Sequence, residues 1–235
     1  MATCPLLDDV EPYRRLVGRL VYLAVTQPDL SNAVHMLSRF LHQPRQEHWS
    51  AALRVVRYLK GSPGQGVLFR ADSSLSITGW CDSDWGGCPT SRRSVTGWFI
   101  LLGGSPISWK TKKQLTVSLS SAEAEYRSMA NIVCELKWLK GLLASLGVIV
   151  PLPMHVLSDS KSAIVLAHNP VFHERTKHIE IDCHFMPDAI TDGLMTTTHV
   201  STTEQLADIF TKALGAPQFI HLLAKLGTLD LHAPA

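Results

Sequence analysis

Four acidic residues, Asp82, Glu125, Asp159 and Asp208, fall at the start or end of four different predicted elements. Asp82 closes the apolar run Leu75-Ser-Ile-Thr-Gly-Trp-Cys-Asp82, and Asp159 ends Met154-His-Val-Leu-Ser-Asp159. Glu125 lies in the first turns of a long amphipathic helix, and Asp208 sits in the late helix Thr203-Glu-Gln-Leu-Ala-Asp208. A carboxylate at a buried strand end is costly unless a cation or a donor neutralises it. Four of them converging from separate elements call for a divalent ion, the chemistry of metal-assisted phosphoryl transfer.

Two of the four have a neighbouring rival. Glu123 and Glu125 are two positions apart and cannot share a helix face. Steps of three or four from Glu125 reach Met129, Ile132, Leu136 and Leu139, an apolar stripe, whereas steps from Glu123 reach Arg127, Ala130, Cys134 and Lys137. Glu125 is therefore expected to face the sheet, with Glu123 as a capping or dipole partner. Asp82 and Asp84 share one face of an extended chain. Asp82 lies nearer the strand interior, and Asp84 reads as a turn residue before Gly86-Gly87 or as an auxiliary ligand. Asp159-Ser160 alone would suit a helix N-cap, and Asp208 alone a solvated helix acid.

The elements that must position these groups begin with an all-helical block over residues 11–60. Leu16, Leu20 and Leu23 recur at helical spacing, Pro28 opens a second helix to about His42, and a third runs from Gln46 to Lys60 before Gly61-Ser-Pro-Gly64. From residue 66 the period changes. Val67–Phe69, Leu75–Cys81, Val95–Leu102 and Pro106–Trp109 read as strands, with Gly103-Gly104 as a hairpin turn. A helix over 121–146, a strand over 154–158, helices over 160–168 and 177–191, a strand over 196–200, a helix over 203–213 and a last helix over 217–226 follow. The order predicts an α/β fold with helices flanking a mixed sheet.

The 235 residues are 46% hydrophobic and 18% charged, with a net charge of +2, the profile of an ordinary globular protein. Any nucleic-acid affinity must then come from local basic patches. The longest apolar run, 142–150, is too short to cross a bilayer, and the first ten residues lack a basic n-region, so neither membrane nor secretion is expected. Five cysteines without CxxC spacing suit a reduced intracellular setting. Cys183-His184 with His168, His173 and His178 make a zinc-like grouping, against which the plainer reading puts Cys183 in the core and the histidines on the surface.

The words Trp80-Cys-Asp-Ser-Asp-Trp85, Ser118-Leu-Ser-Ser-Ala-Glu-Ala-Glu-Tyr126, Ser158-Asp-Ser-Lys-Ser-Ala163, Asn169-Pro-Val-Phe-His-Glu-Arg-Thr-Lys-His-Ile179 and Gln205-Leu-Ala-Asp-Ile-Phe-Thr-Lys212 occur in this order. Together they resemble the ribonuclease H domain of copia-type retrotransposon Pol polyproteins, plant elements above all. Tyr13-Arg-Arg-Leu-Val-Gly-Arg-Leu-Val-Tyr22 with Thr26-Gln-Pro-Asp-Leu30 resembles the end of the preceding reverse transcriptase. The resemblance implies a ribonuclease H-like domain over 65–215, a helical remnant of the reverse transcriptase over 1–64 and a C-terminal helix and tail over 216–235. It implies cleavage of the RNA strand of an RNA–DNA hybrid. Asp82, Glu125, Asp159 and Asp208 match the family's metal-binding acids, holding two magnesium ions, with manganese as the alternative. His199 matches a mobile histidine that assists proton transfer or product release. Lys110, Lys112, Lys113, Arg175 and Lys177, with Arg92 and Arg93, are the phosphate-contact candidates. The partners implied are the hybrid and the rest of the polyprotein, in the cytoplasm (within a virus-like particle) or the nucleus.

Two positions depart from the pattern. Leu119 stands where a basic residue is usual, and Pro187 replaces an expected arginine inside a predicted helix that it should kink or shorten. The chain has no Tyr-x-Asp-Asp motif and is too short for fingers and palm, so polymerase activity is excluded. The rival readings are a catalytically silent hybrid-binding module of the same fold and an integrase-type nuclease acting on DNA.

Overall fold

The computed structural model describes residues 4–169 and 180–230, and of 180–184 the backbone alone. Helix α1 (Glu11–Leu23) carries a proline in its first turn and buries Tyr13, Val17 and Leu20. A 3-10 turn at Pro28–Leu30 leads into α2 (Ser31–Ser38), and α3 spans Gln46–Gly61. Their apolar faces meet in one cluster built on Tyr13, Val17, Leu20, Leu30, Val34, Leu37 and Ala52. Inside it the Tyr13 hydroxyl donates to the Leu37 carbonyl at 2.7 Å. The expected helix over 28–42 ends at Ser38 instead. Arg39 and Phe40 tighten to 3-10 bonds on Met36 and Leu37, and Pro44 forbids helical geometry just beyond.

Strand β1 (Gln65–Val67) is followed by β2 (Ile77–Asp84), β3 (Val95–Leu102) and β4 (Ser105–Lys113). The β3–β4 hairpin turns on Gly103, whose φ of +58° only glycine adopts freely. Helix α4 (Ser121–Ser145) then crosses the sheet, followed by β5 (Met154–Ser158), α5 (Lys161–His168), α6 (Glu180–Thr191) and β6 (Met195–His199). The five strands order as β4-β3-β2-β5-β6, the first three antiparallel and β5 and β6 parallel to β2. α6 continues through Pro187 to Thr191 with no break there.

The chain closes with α7 (Asp208–Thr211), α8 (Ala216–Leu223) and β7 (Thr228–Asp230), which pairs antiparallel with β1. The helix expected over 203–213 is therefore two short pieces, a 3-10 turn at Thr202–Glu204 and α7. The buried Gln205 explains the break. Its backbone is extended, its Nε2 donates to the Cys81 carbonyl at 3.0 Å, and its Oε1 accepts from Ala207 N at 3.2 Å. A side chain that serves β2 and its own backbone interrupts the helical ladder.

The sheet thus carries two cores. On one face Ile77, Cys81, Trp98 and Ile100 pack against Met129, Ile132, Val133 and Leu136 of α4, with α5 and α6 beyond. On the other, Phe99 meets Leu206, Phe210, Leu222 and Leu226. The helical block docks beside this second face. Trp109 Nε1 donates to the Ala24 carbonyl at 2.9 Å, and Asn32 Nδ2 donates to the Lys212 carbonyl at 2.9 Å. Arg39 also reaches the sulfur of the buried Cys88.

Candidate active site

β2 and β5 are parallel neighbours, so their carboxyl ends lie side by side at one rim of the sheet. Asp82 stands near the end of β2, two residues before the strand stops at Asp84, and Asp159 follows the last residue of β5. The first turns of α4 bring Glu125 to the same rim. One carboxylate oxygen from each of Asp82, Glu125 and Asp159 lies within 4.8 Å of the others. Among the described residues this is the only such group of potential ligands.

Each member is held by its surroundings. Asp82 is fully buried; its Oδ2 accepts from Thr211 Oγ1 and its Oδ1 meets the Lys212 ammonium at 3.0 Å. Its carbonyl accepts from the buried Ser128 of α4 at 2.7 Å, which pins the helix to the strand. Glu125 Oε1 accepts from Ser83 N at 3.3 Å, while its buried Oε2 has no hydrogen-bond partner. Thr202 Oγ1 donates to Asp159 Oδ2 at 2.9 Å. Asp208, at the first position of α7, is also buried and joins the group through Lys212, whose Nζ lies 2.7 Å from its Oδ1.

Packing like charges together shows in their proton affinity. Burial, then the charges of Asp82 and Asp159, push the Glu125 carboxyl up to about 9. Burial and Asp82 push Asp208 up to about 7, against the pull of Lys212. Burial followed by Glu125, Asp82 and Asp159 keeps the Cys81 thiol protonated. Both raised carboxyls favour the folded chain while protonated. That contribution is complete below their unfolded values and is lost as pH rises through about 7 and about 9. The metal-free chain should melt at lower temperature as pH climbs over this window. A divalent ion bound there would supply the missing countercharge, so the magnesium-induced rise in Tm should grow with pH. Differential scanning fluorimetry with and without magnesium reads this, and a rise that is flat or shrinking over the same window would count against it.

The donors fit such an ion: all are hard carboxylate oxygens, one of them buried and unpartnered, the set preferred by magnesium and manganese. Glu123 lies elsewhere. Its Oε2 accepts from Leu119 N at 2.8 Å, its Oε1 pairs with Arg127 at 2.8 Å, and its backbone N–H donates to the N-cap Ser120. Glu123→Ala should therefore cost about 1–3 kcal/mol in chemical denaturation. Any nucleolytic rate should stay within roughly threefold. Asp84 is half-buried beside Gly87, and burial and then Asp82 raise its pKa.

The chain is 44% identical over 225 residues to the retrovirus-related Pol polyprotein from transposon RE2 of Arabidopsis thaliana, a match that covers 96% of this chain. It is 44% identical over 221 residues to that from transposon RE1 of the same plant, and 38% identical over 214 residues to that from transposon TNT 1-94 of Nicotiana tabacum. The chain belongs to the copia-type Pol polyproteins of plant retrotransposons. It spans only 15–16% of the length of these three Pol relatives. No family model matches it. Among solved structures, the ribonuclease H1 of Halobacterium salinarum NRC-1 aligns at 13% identity and a TM-score of 0.36, covering 58% of this chain and 94% of that one. The N-terminal ribonuclease H domain of a Mycobacterium tuberculosis protein aligns at 14% and 0.38, covering 65% and 98%. The described residues of this Pol fragment form a mixed five-stranded sheet flanked by helices.

The remaining candidates of this Pol domain spread around the rim. His199 is exposed at the end of β6, in register with Ser158, the residue before Asp159. Lys110 and Lys112 alternate onto the α4 side of the edge strand β4, with Lys110 Nζ 5.6 Å above the Trp98 ring. Lys113 points to the opposite side, toward His35, whose pKa is lowered by burial and then by the charges of Arg39 and Lys113. Arg92 is exposed and Arg93 half-buried. Trp85 is exposed, with its Nε1 donating to the Ser118 carbonyl at 3.0 Å, whereas Trp98 is core. Arg175, Lys177, His173 and His178 lie outside the described residues, as do the side chains of Cys183 and His184. His168 shares a 2.7 Å hydrogen bond with Thr197. Leu119 is largely exposed, with its backbone N–H tied to Glu123.

Sequence reasoning passed over Gln205, Ser128, Thr202, Thr211 and Lys212, all of which hold the acids or their strand. The i, i+4 spacing of Asp208 and Lys212 was a usable signal. Nothing local in the sequence points to Gln205, Ser128 or Thr202.

Proposed function

We propose that this chain is a divalent-metal-dependent endoribonuclease that cuts the RNA strand of RNA–DNA hybrids during retrotransposon reverse transcription. The observation that carries the reading is the meeting of Asp82, Glu125 and Asp159, from three elements, within 4.8 Å at the carboxyl ends of two parallel strands. With Asp208 they are the residues to hold two magnesium ions, or manganese in their place. Such ions would supply Lewis-acid activation of water and countercharge for the leaving 3′ oxygen.

The chain's own groups would do the rest. Ser128 and Gln205 clamp the strand that carries Asp82, and Thr202 orients Asp159. His199, beside the strand end before Asp159, is placed to carry a proton or to help the product leave. Lys110 and Lys112 on one side of the edge strand suit phosphate contacts, with Lys113, Arg175 and Lys177 as further candidates. Backbone and small polar groups would read the 2′-hydroxyls that distinguish RNA from DNA. The partners are then the hybrid and the rest of the Pol polyprotein, within the cell.

The test is magnesium-dependent cleavage of a hybrid labelled separately in each strand, with Asp159→Asn alongside. RNA-strand cleavage that Asp159→Asn abolishes supports the reading. A folded wild type that binds hybrid without cutting it is a silent module, and cleavage of duplex DNA makes it an integrase-type nuclease.

A further inference from the structure

The four acids form two unlike sets that share Asp82. The trio of Asp82, Glu125 and Asp159 has a buried unpartnered oxygen on Glu125, and of its three members only Asp82 pairs with a lysine or arginine in the described ion pairs. The pair of Asp82 and Asp208 is bridged by Lys212, with its Nζ 3.0 Å from one carboxylate and 2.7 Å from the other. The bridge is built into the fold. Asp208 and Lys212 are one helical turn apart, and Asn32 of α2 holds the Lys212 carbonyl at 2.9 Å. The Lys212 side chain itself is a third exposed, and its ammonium ends a flexible four-carbon stem.

We propose that Lys212 is a resident cation occupying the Asp82–Asp208 side, so that one divalent ion binds tightly at the trio and a second binds only by displacing the Lys212 ammonium. This rests on the metal-dependent reading above. Charge supports it: four carboxylates and one ammonium leave a formal charge of −3, which one divalent ion nearly neutralises. A second ion beside an ammonium that stays would meet direct repulsion at contact distance. The displaced ammonium has a ready acceptor in the anionic phosphate of a hybrid. Lys212 is thus a positioning and gating residue that sets when the second ion enters.

The experiment counts manganese on the full chain without nucleic acid, from the paramagnetic resonance signal of the free ion, with thermal melts to show that each variant is folded. Wild type should show one tight site and a second at least about tenfold weaker. Lys212→Met should tighten the second site by about tenfold or more, with Lys212→Gln behaving alike and Lys212→Arg restoring the wild-type profile. Two equal sites in wild type, or a second site unmoved in folded Lys212→Met and Lys212→Gln, overturn the proposal. No manganese bound by folded wild type overturns the metal-dependent reading and this one with it. A tight site that Asp159→Asn removes, with the second site unmoved by Lys212→Met, overturns this proposal alone.

Discussion

Asp82→Asn should reduce cleavage of a labelled hybrid by at least roughly a thousandfold while the protein stays folded. Asp82 belongs to both acid sets, so its loss deprives each cation position of a ligand at once. Asparagine keeps the volume, and the strand stays clamped because Ser128 and Gln205 bind the backbone carbonyls of Asp82 and Cys81, not the carboxylate. A second consequence separates this from simple damage. Asp82 is the foremost charge raising both Glu125 and Asp208, after their burial, so both should titrate lower in the variant. Carboxyl carbon shifts followed through a pH titration read this directly. A variant with full activity, or one in which Glu125 titrates as before, would contradict the arrangement.

Gly97→Val carries the largest expected cost to stability. Gly97 pairs with Asp82 across β2 and β3, and α7 lies directly on it. A Cβ at Gly97 would sit 2.7 Å from both Phe210 Cβ and Thr211 Cγ2, and 3.2 Å from the Ala207 carbonyl. Neither side can yield easily. β3 is the middle of an antiparallel triplet, and the Phe210 ring stacks on Phe99 at 5.7 Å. The valine should cost about 2–3 kcal/mol in urea denaturation. The loss should reach the site as well, because α7 carries Asp208, is followed at once by Lys212 and includes the Thr211 that bonds Asp82. Weaker manganese binding in the folded variant is the expected companion, and a variant with wild-type stability would show that α7 is not seated as described.

The strands and the long helix were legible because each repeats one period over enough residues. Val95–Leu102 and Met154–Ser158 fall where the sequence pattern places them, and the Met129–Leu139 stripe of α4 faces the sheet. What the pattern missed depends on single side chains bonding across the fold. Asp208 looks like a mid-helix acid until Gln205 is seen turning away to hold β2, which makes Asp208 the first residue of α7. β1 and β7 are three residues each and pair across 161–165 positions, too short for a periodicity to announce their pairing. At the site, Asp82, Glu125 and Asp159 were legible because each lies near the end or start of a strongly periodic element. Lys212 was visible only in part: its i, i+4 spacing signals a pairing with Asp208, but only the tertiary fold sets it against Asp82 as well.

The bond from Asn32 to the Lys212 carbonyl changes what severing the chain would accomplish. Residues 62–64 form a turn between the helical block and the sheet, the natural place for a protease to enter. A nick there would not release two parts. Asn32 on Lys212, Trp109 on Ala24 and Arg39 on Cys88 would keep the pieces docked, and a size-exclusion column should return them as one species. The sheet and its helices expressed without the first three helices would lose the Asn32 bond to the Lys212 carbonyl, so the helical block behaves physically as part of the unit that carries the acids.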